Sequence, residues 1–232
     1  CTAIAPLAEL PLAAQPGERF VYGYATDVLG CLIERASGMS LAEFIRTRIT
    51  EPLEMHDTGF CVDPADRDRM AAVYGLVDGA LTRSPDGPLG QGDYVGGPCR
   101  AFGGGAGLVS TAPDYARFLE MLLLGGTIDG VRILSPASVA LMTRDHIDAL
   151  YLGPEWGFGL GFAILLDPGK AAEYGEAGRW GMGWCLSHGV LGGSRVRYGC
   201  GIDDAVDAGH RIDAAVALSR AGVPAVELRR AG

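Results

Sequence analysis

Residues Gly104–Asp114 read GGAGLVSTAPD, and the second half of this stretch carries the signals of a helix start. The Thr111 side chain can accept a hydrogen bond from a free backbone amide, Pro113 suits a first helical turn, and Asp114 places negative charge near the positive end of the helix dipole. The apolar residues that follow share one helix face: Phe118, Leu119, Leu122 and Leu123. We therefore expect a helix over residues 112–124.

Three further helices and one strand are expected from the same kinds of signal. Apolar periodicity predicts a helix over residues 26–37, a capping box opens a helix over 41–50, and a Ser-Pro pair opens one over 136–144. Residues 156–166 are apolar and interrupted by glycines, which predicts a strand. Residues 61–100 are rich in proline and glycine, so little regular structure is expected there.

The composition describes a globular chain with an acidic balance of charge. Of the 232 residues, 48% are hydrophobic, which is enough for one or two domains with a packed core. The net charge of -9 disfavours a nucleic-acid partner, because proteins that bind nucleic acids usually carry a surplus of basic residues. The longest apolar runs reach only about ten residues, so no membrane span is expected. Lys170 is the only lysine among 19 basic residues, and it limits which catalytic motifs the chain can hold.

Cysteine and histidine positions show no metal-binding pattern. The six cysteines include no Cys-x-x-Cys pair, and the four histidines share no helix face, so a zinc site is not expected. Unpatterned cysteines in a chain of this size are expected to be buried free thiols rather than a disulfide framework. This usage favours a reducing compartment, the cytoplasm.

Five segments occur in the order found in the serine beta-lactamase-like family, which includes class C beta-lactamases, penicillin-binding proteins and carboxylesterases. Pro16–Tyr22 (PGERFVY), followed by Asp27–Gly30 (DVLG), resembles the segment that holds the family's catalytic tyrosine. Glu51–Phe60 (EPLEMHDTGF) resembles E-P-L-G-M-x-D-T-x-F, with Glu54 where glycine is usual. Gly104–Asp114 resembles G-G-x-G-L-x-S-T-x-x-D. The remaining matches are Leu134–Pro136 with Met142–Thr143, and Gly157–Phe162.

The resemblance covers roughly residues 8–178 and implies an α+β fold. Residues 1–150 would form the mostly helical part of the domain, and residues 151–178 part of a helix-flanked antiparallel sheet. Residues 179–232 form a divergent C-terminal tail with conflicting local signals, expected to pack poorly against the rest. We expect a chain that lacks the start of the family's domain and whose end reflects a misread coding frame.

Tyr22 is the candidate catalytic residue that the resemblance implies. In the family, a serine in Ser-x-x-Lys attacks a carbonyl and forms an acyl-enzyme, while the lysine and a tyrosine move the protons. A neighbouring ammonium favours a phenolate, which can then act as a general base. The alternative is a buried structural tyrosine. Tyr24 stands where the family often has asparagine, which favours an esterase-like variant over a lactamase.

The motif that would supply the nucleophile is absent from the 232 residues. Lys170 follows Asp167, not serine, at the required spacing, and no G-x-S-x-G elbow occurs. Ser187 beside His188 is interpreted as coincidence, because adjacent side chains rarely face each other. Trp180–Gly183 and His188–Gly189 are the candidates for the late strand whose backbone amide completes the family's oxyanion hole.

The resemblance therefore implies a fragment of a serine hydrolase that acts on a small-molecule ester or lactam, with no metal or organic cofactor. The isolated chain is expected to be inactive. Two alternatives are a non-catalytic binding protein that keeps the family's cleft, and a lysine-free hydrolase with another nucleophile. Phosphate binding by Gly103–Gly107 is not favoured, because Gly-Lys-Ser/Thr does not follow; close packing or a turn is expected instead.

Overall fold

In the computed structural model of the chain, the described residues are 4–72, 74–83, 94–95, 97, 99, 102–151, 153–172 and 176–181. The α-helices are α1 (Ala25–Ser37), α2 (Leu41–Ile45), α3 (Ala112–Leu123), α4 (Pro136–Met142) and α5 (Pro168–Ala171). Short 3₁₀-helices cover Ala5–Glu9, Pro64–Arg69 and Asp148–Leu150. Within this described part of the chain, no helix has both the length and the apolar character that crossing a bilayer requires.

The described strands form three small antiparallel sheets. Strand β1 (Tyr74–Val77) pairs with β2 (Ala80–Arg83), and β3 (Thr127–Ile128) pairs with β4 (Val131–Arg132). The third sheet has the order β5 (Trp156–Phe158), β6 (Ala163–Leu165), β7 (Trp180–Gly181). Helices together with antiparallel sheets confirm the expected α+β class.

The four predicted helices form, and side-chain caps mark the start of α2, α3 and α4. Ser40, Thr111 and Ser135 each accept a hydrogen bond from the backbone amide three residues later. The α-helix predicted over residues 41–50 is α-helical only to Ile45 and continues as a π-helical turn over Arg46–Thr50. Thr47 and Thr50 both donate to the carbonyl four residues earlier, a contact that bends helices.

The single strand predicted over residues 156–166 is wrong, because this segment is a hairpin of β5 and β6. Gly161 has a φ of +100°, a conformation that side chains rarely adopt, and the Gly159 amide donates to the Phe162 carbonyl over 2.7 Å. The chain therefore reverses between the two strands. Trp156 lies opposite Leu165 in the resulting register.

Residues 61–100 also hold more regular structure than expected. The β1–β2 hairpin lies there, and Asp78–Gly79 forms its two-residue turn with positive φ at both positions. Asp-Gly is a strong signal for this turn type. The proline and glycine content of this segment therefore did not predict its hairpin.

The expectation of free thiols is contradicted within the described residues. Cys61 and Cys99 form a disulfide, and Cys31 is disulfide-bonded as well. Sequence spacing gave no sign of the first pair, since its two cysteines lie 38 positions apart and meet only through the path of the chain between them.

The main apolar core joins the helical part to the three-stranded sheet. Its fully buried side chains include Leu53, Met121 and Leu122. Phe162, just before β6 in the β5–β6 hairpin, joins the same cluster, and the Trp180 ring packs against it at a centroid distance of 4.8 Å. This core fixes α3 and β5–β7 as one packed body.

Helix α1 is different, because its apolar face is largely open to solvent. Val28, Leu29 and Leu32 are 42%, 53% and 57% exposed. An amphipathic helix normally buries such a face. The buried residue of α1 is Gly30, where a side chain would meet Leu41 and the backbone of Gly104.

Candidate functional site

Tyr22 lies in a short irregular segment that leads directly into α1. Its side chain is 65% exposed. Within the described residues Tyr22 is therefore not buried, and its catalytic role stays a prediction. A phenol in this position is accessible to a small molecule from solvent.

An aromatic cluster holds this segment against the sheet. The Phe20 ring lies 4.8 Å from the Tyr151 ring and 5.5 Å from the Phe158 ring, and the last two are 4.8 Å apart. Phe158 belongs to β5, so Phe20 connects the chain two residues before Tyr22 to the sheet. Burial raises the pKa of the Tyr151 phenol, which stays protonated at neutral pH. The sequence gave no signal for this cluster, because its members come from distant positions.

The glycine-rich loop packs against the first turn of α1. The Gly105 amide donates to Asp27 Oδ1 over 3.1 Å. A Cβ atom on Gly104 would lie 2.0 Å from the Thr26 carbonyl oxygen, and one on Gly105 would lie 2.6 Å from Asp27 Oδ2. The glycines are therefore required for close backbone approach, as expected, and their role here is packing. Asp27, in the first turn of α1, joins the loop to the helix that follows Tyr22.

Lys170 lies in α5 and forms an ion pair with Asp167. Its Nζ atom is 2.9 Å from Asp167 Oδ2, and the hydrogen bond to that carboxylate raises the pKa of the ammonium. The same contact lowers the pKa of Asp167. The only lysine of the sequence is thus paired locally within α5 and its cap.

Two of the segments that resemble the family, Glu51–Phe60 and Gly104–Asp114, contact each other. Asp114 Oδ2 accepts hydrogen bonds from the Asp57 amide at 2.9 Å and from the Thr58 hydroxyl at 2.8 Å. Thr58 and Ser110 share a further hydrogen bond of 2.7 Å, and Gly59 pairs with Val109. The residues that made these motifs recognisable therefore build the fold.

The late-strand candidates are only partly within the described residues. Trp180 and Gly181 form β7, where Trp180 lies opposite Ile164 of β6. His188–Gly189, Ser187 and the expected poor packing after residue 180 lie outside the described residues. Among the residues that the structure describes, no group of three acidic, histidine or cysteine side chains could hold a metal ion.

Comparison with known proteins extends the similarity beyond the motifs. A family model described as Beta-lactamase matches residues 2–198. Protein Rv1367c of Mycobacterium tuberculosis is 40% identical over 204 residues, covering 81% of this chain and 48% of that protein. Esterase EstB of Burkholderia gladioli is 35% identical over 189 residues, covering 75% of this chain and 47% of that protein.

A solved structure gives the same result for the fold. The chain superposes on EstCE1, a hydrolase with promiscuous acyltransferase activity, with a TM-score of 0.62 and 33% sequence identity, covering 74% of this chain and 47% of that one. The chain thus spans about half the length of the curated relatives it matches. The family match also runs twenty residues further than 178, where the sequence resemblance was expected to end.

Proposed function

Because the chain belongs to the beta-lactamase family, we propose that it is part of a serine hydrolase that cleaves small-molecule esters through an acyl-enzyme, with Tyr22 as the general base. The serine and lysine of the nucleophile motif would come from sequence outside these 232 residues. The observation that carries the proposal is the placement of Tyr22, exposed at the start of α1 and tied to the sheet through Phe20.

In this mechanism the Tyr22 oxygen takes the proton from the serine hydroxyl as the serine oxygen attacks the ester carbonyl. The tetrahedral intermediate collapses to the acyl-enzyme, and Tyr22 returns the proton to the departing alcohol. Water then enters by the same steps in reverse order, and the acid is released. These steps require Tyr22 to keep a fixed position relative to the rest of the site. The aromatic cluster holds the Tyr22 segment against the sheet, and the Asp27–Gly105 hydrogen bond holds α1 against the glycine-rich loop.

An ester is favoured over a lactam amide on two grounds. Tyr24 occupies the position where lactam-cleaving members of the family often have asparagine. The similar proteins EstB and EstCE1 are described as an esterase and as a hydrolase with acyltransferase activity.

The first experiment assays the 232-residue chain alone with p-nitrophenyl acetate and a chromogenic cephalosporin. We expect no turnover above buffer, because loss of the nucleophile unit in a comparable hydrolase costs about a factor of 10⁶. Turnover that survives purification and disappears in Tyr22→Phe would show that the chain contains a nucleophile of its own.

The second experiment uses the full-length protein as encoded, with whatever sequence precedes Cys1. Tyr22→Phe should lower kcat for p-nitrophenyl acetate by about 10² to 10⁴, the usual contribution of a general base. Tyr74→Phe is the matched control, since Tyr74 is 49% exposed and lies on β1, outside the proposed site, and it should retain activity. Equal activity in Tyr22→Phe and the unsubstituted protein would remove Tyr22 from the mechanism.

The same full-length protein distinguishes the alternative of a non-catalytic binding protein. That alternative has one observation in its favour, since the printed sequence holds a single lysine and no Ser-x-x-Lys. If the upstream sequence also lacks this motif, and the full-length protein binds an ester without turning it over, the protein is a non-catalytic binding protein. The proposal of a serine hydrolase is then wrong.

A further inference from the structure

The chain leaves the packed body at Cys61 and returns to it at Cys99. A disulfide joins these two cysteines, and we call this pair of crossing points the neck. The two Cα atoms are 6.1 Å apart. Both cysteine residues are exposed to solvent, so a small reductant can reach the bond. Next to the disulfide, the Val62 amide donates to the Tyr94 carbonyl over 2.9 Å.

The outgoing side of the neck has a separate attachment to the body. Arg69, at the end of the 3₁₀-helix Pro64–Arg69, donates to Asp57 Oδ1 over 2.7 Å and contacts the second oxygen of the same carboxylate. Asp63 caps the start of that helix through the Ala65 amide. The segment that leaves the neck is thus held whether or not the disulfide is present.

The returning side leads directly into the glycine-rich loop. After Cys99, the Phe102 ring packs on the Phe60 ring at 5.2 Å, and three residues later the Gly105 amide is bonded to Asp27. Among the described contacts of the returning side, the disulfide is the one covalent attachment. The others up to Gly105 are one backbone hydrogen bond, one ring contact, the close packing of Gly104 on Thr26 and the Asp27–Gly105 hydrogen bond.

We propose that the Cys61–Cys99 disulfide is a redox-sensitive clamp whose reduction releases the glycine-rich loop from the first turn of α1. A dithiol supplies two electrons and two protons. Its thiolate attacks one sulfur of the disulfide, which forms a mixed disulfide and releases the other cysteine as a thiol. The second thiol of the reductant then displaces the cysteine held in the mixed disulfide. The products are two cysteine thiols and the oxidised, cyclic form of the dithiol. Phe102 and the glycine-rich loop then gain freedom, and the Asp27–Gly105 contact opens more often.

This inference does not depend on Tyr22 being catalytic, because its readout is a backbone amide. The experiment is hydrogen exchange of the 232-residue chain, resolved to single residues, with and without dithiothreitol. Exchange at the Gly105 amide should rise about tenfold or more on reduction, whereas the Met121 and Leu122 amides of α3 should keep their rates. Those core amides report that the fold is intact.

The double variant Cys61→Ser, Cys99→Ser separates this disulfide from that of Cys31, which the variant keeps. Without reductant it should show the fast Gly105 exchange of the reduced protein, and dithiothreitol should add no further change. Slow Gly105 exchange in the variant would overturn the proposal, as would peptide mapping that finds Cys61 and Cys99 unpaired in the untreated protein. A reduced unsubstituted protein that keeps its slow Gly105 amide would overturn it even if the variant failed to fold.

Discussion

Glu54 holds a backbone conformation that most side chains avoid. Its φ is +57°, and the family's segment has glycine at the matching position. The left-handed conformation costs a residue with a Cβ atom about 1 to 2 kcal/mol. The Glu54 carboxylate lies 3.7 Å from Arg117, but its side chain is 72% exposed, so this ion pair offsets little of that cost.

We therefore expect Glu54→Gly to raise the free energy of unfolding by about 0.5 to 1 kcal/mol, a gain reduced by the greater freedom of glycine in the unfolded chain. Urea unfolding followed by circular dichroism measures it. Glu54→Ala is the control, because it removes the ion pair and keeps the strained backbone, and it should not be stabilising. A Glu54→Gly protein less stable than the unsubstituted one would show that the contact with Arg117 dominates.

Asp57 gives the chain a stability contribution that depends on pH. Its hydrogen bonds with the Arg69 guanidinium lower the pKa of the carboxyl from its ordinary 3.8, against a smaller opposing effect of burial. A lowered folded-state pKa stabilises the fold above the unfolded value, and this stabilisation is lost as the pH falls through the folded value. Arg69→Gln should therefore lower the urea midpoint at pH 7, and the difference should shrink below about pH 4.

Arg67→Gln is the control for this pH dependence, since it removes the same charge from the same 3₁₀-helix. Subtracting its effect leaves the part that belongs to the contacts of Arg69 with Asp57 and, over 3.2 Å, with Asp66. A difference between Arg69→Gln and Arg67→Gln that is constant from pH 7 to pH 3 would mean that the contact does not form in solution.

At the scale of elements, the glycine-rich loop packs so closely on α1 that the contact leaves no space for a side chain. A Cβ atom on Gly104 would overlap the Thr26 carbonyl at 2.0 Å, and backbone atoms cannot move aside as a flexible side chain would. Gly104→Ala should therefore lower the free energy of unfolding by about 1 to 3 kcal/mol, the usual cost of forced overpacking. Gly23→Ala, with open space around its Cβ position, should leave stability almost unchanged. Equal stability of the two variants would show that the loop does not pack on α1 in solution.

The elements that sequence predicted well are those with local signals. Helices α2, α3 and α4 each have a capping side chain three residues from the amide it binds, so a short window of sequence contains the whole interaction. Helix α1 has no such cap and was predicted from its apolar periodicity. The hairpins were predicted less well, although two of their turns are Asp-Gly pairs with positive φ, Asp78–Gly79 and Asp129–Gly130. Short strands have too few apolar residues to show a clear period, so their segments were predicted as irregular structure or as one longer strand. The turn residues between the strands were the stronger signal for a hairpin.

At the scale of the whole molecule, stability is concentrated around α3. Leu122 is 1% exposed in the main core, whereas Leu29 on α1 is 53% exposed. Leu122→Ala should cost about 2 to 5 kcal/mol of unfolding free energy, and Leu29→Ala, the same change of side chain, less than about 1 kcal/mol. Urea unfolding of both variants measures the contrast. A comparable loss in Leu29→Ala would show that the α1 face is covered in solution.

The candidate site was predictable only in its sequence-local part. Tyr22 was found because its motif is continuous, and its catalytic role stays a prediction. The residues around it were not predicted, because Tyr151 and Phe158 come from positions more than a hundred residues away and meet Phe20 only through the path of the fold. The Cys61–Cys99 bond escaped prediction for the same reason.

The neck at Cys61 and Cys99 also has a consequence for how such a domain can diversify. A segment whose two ends already lie 6.1 Å apart can be lengthened, shortened or exchanged without moving the body from which it emerges. Each doubling of such a segment adds only about 0.6 kcal/mol of closure entropy. Because Arg69 ties the start of this segment to Asp57, the exposed β1–β2 hairpin within it is where insertions and deletions are tolerated most readily.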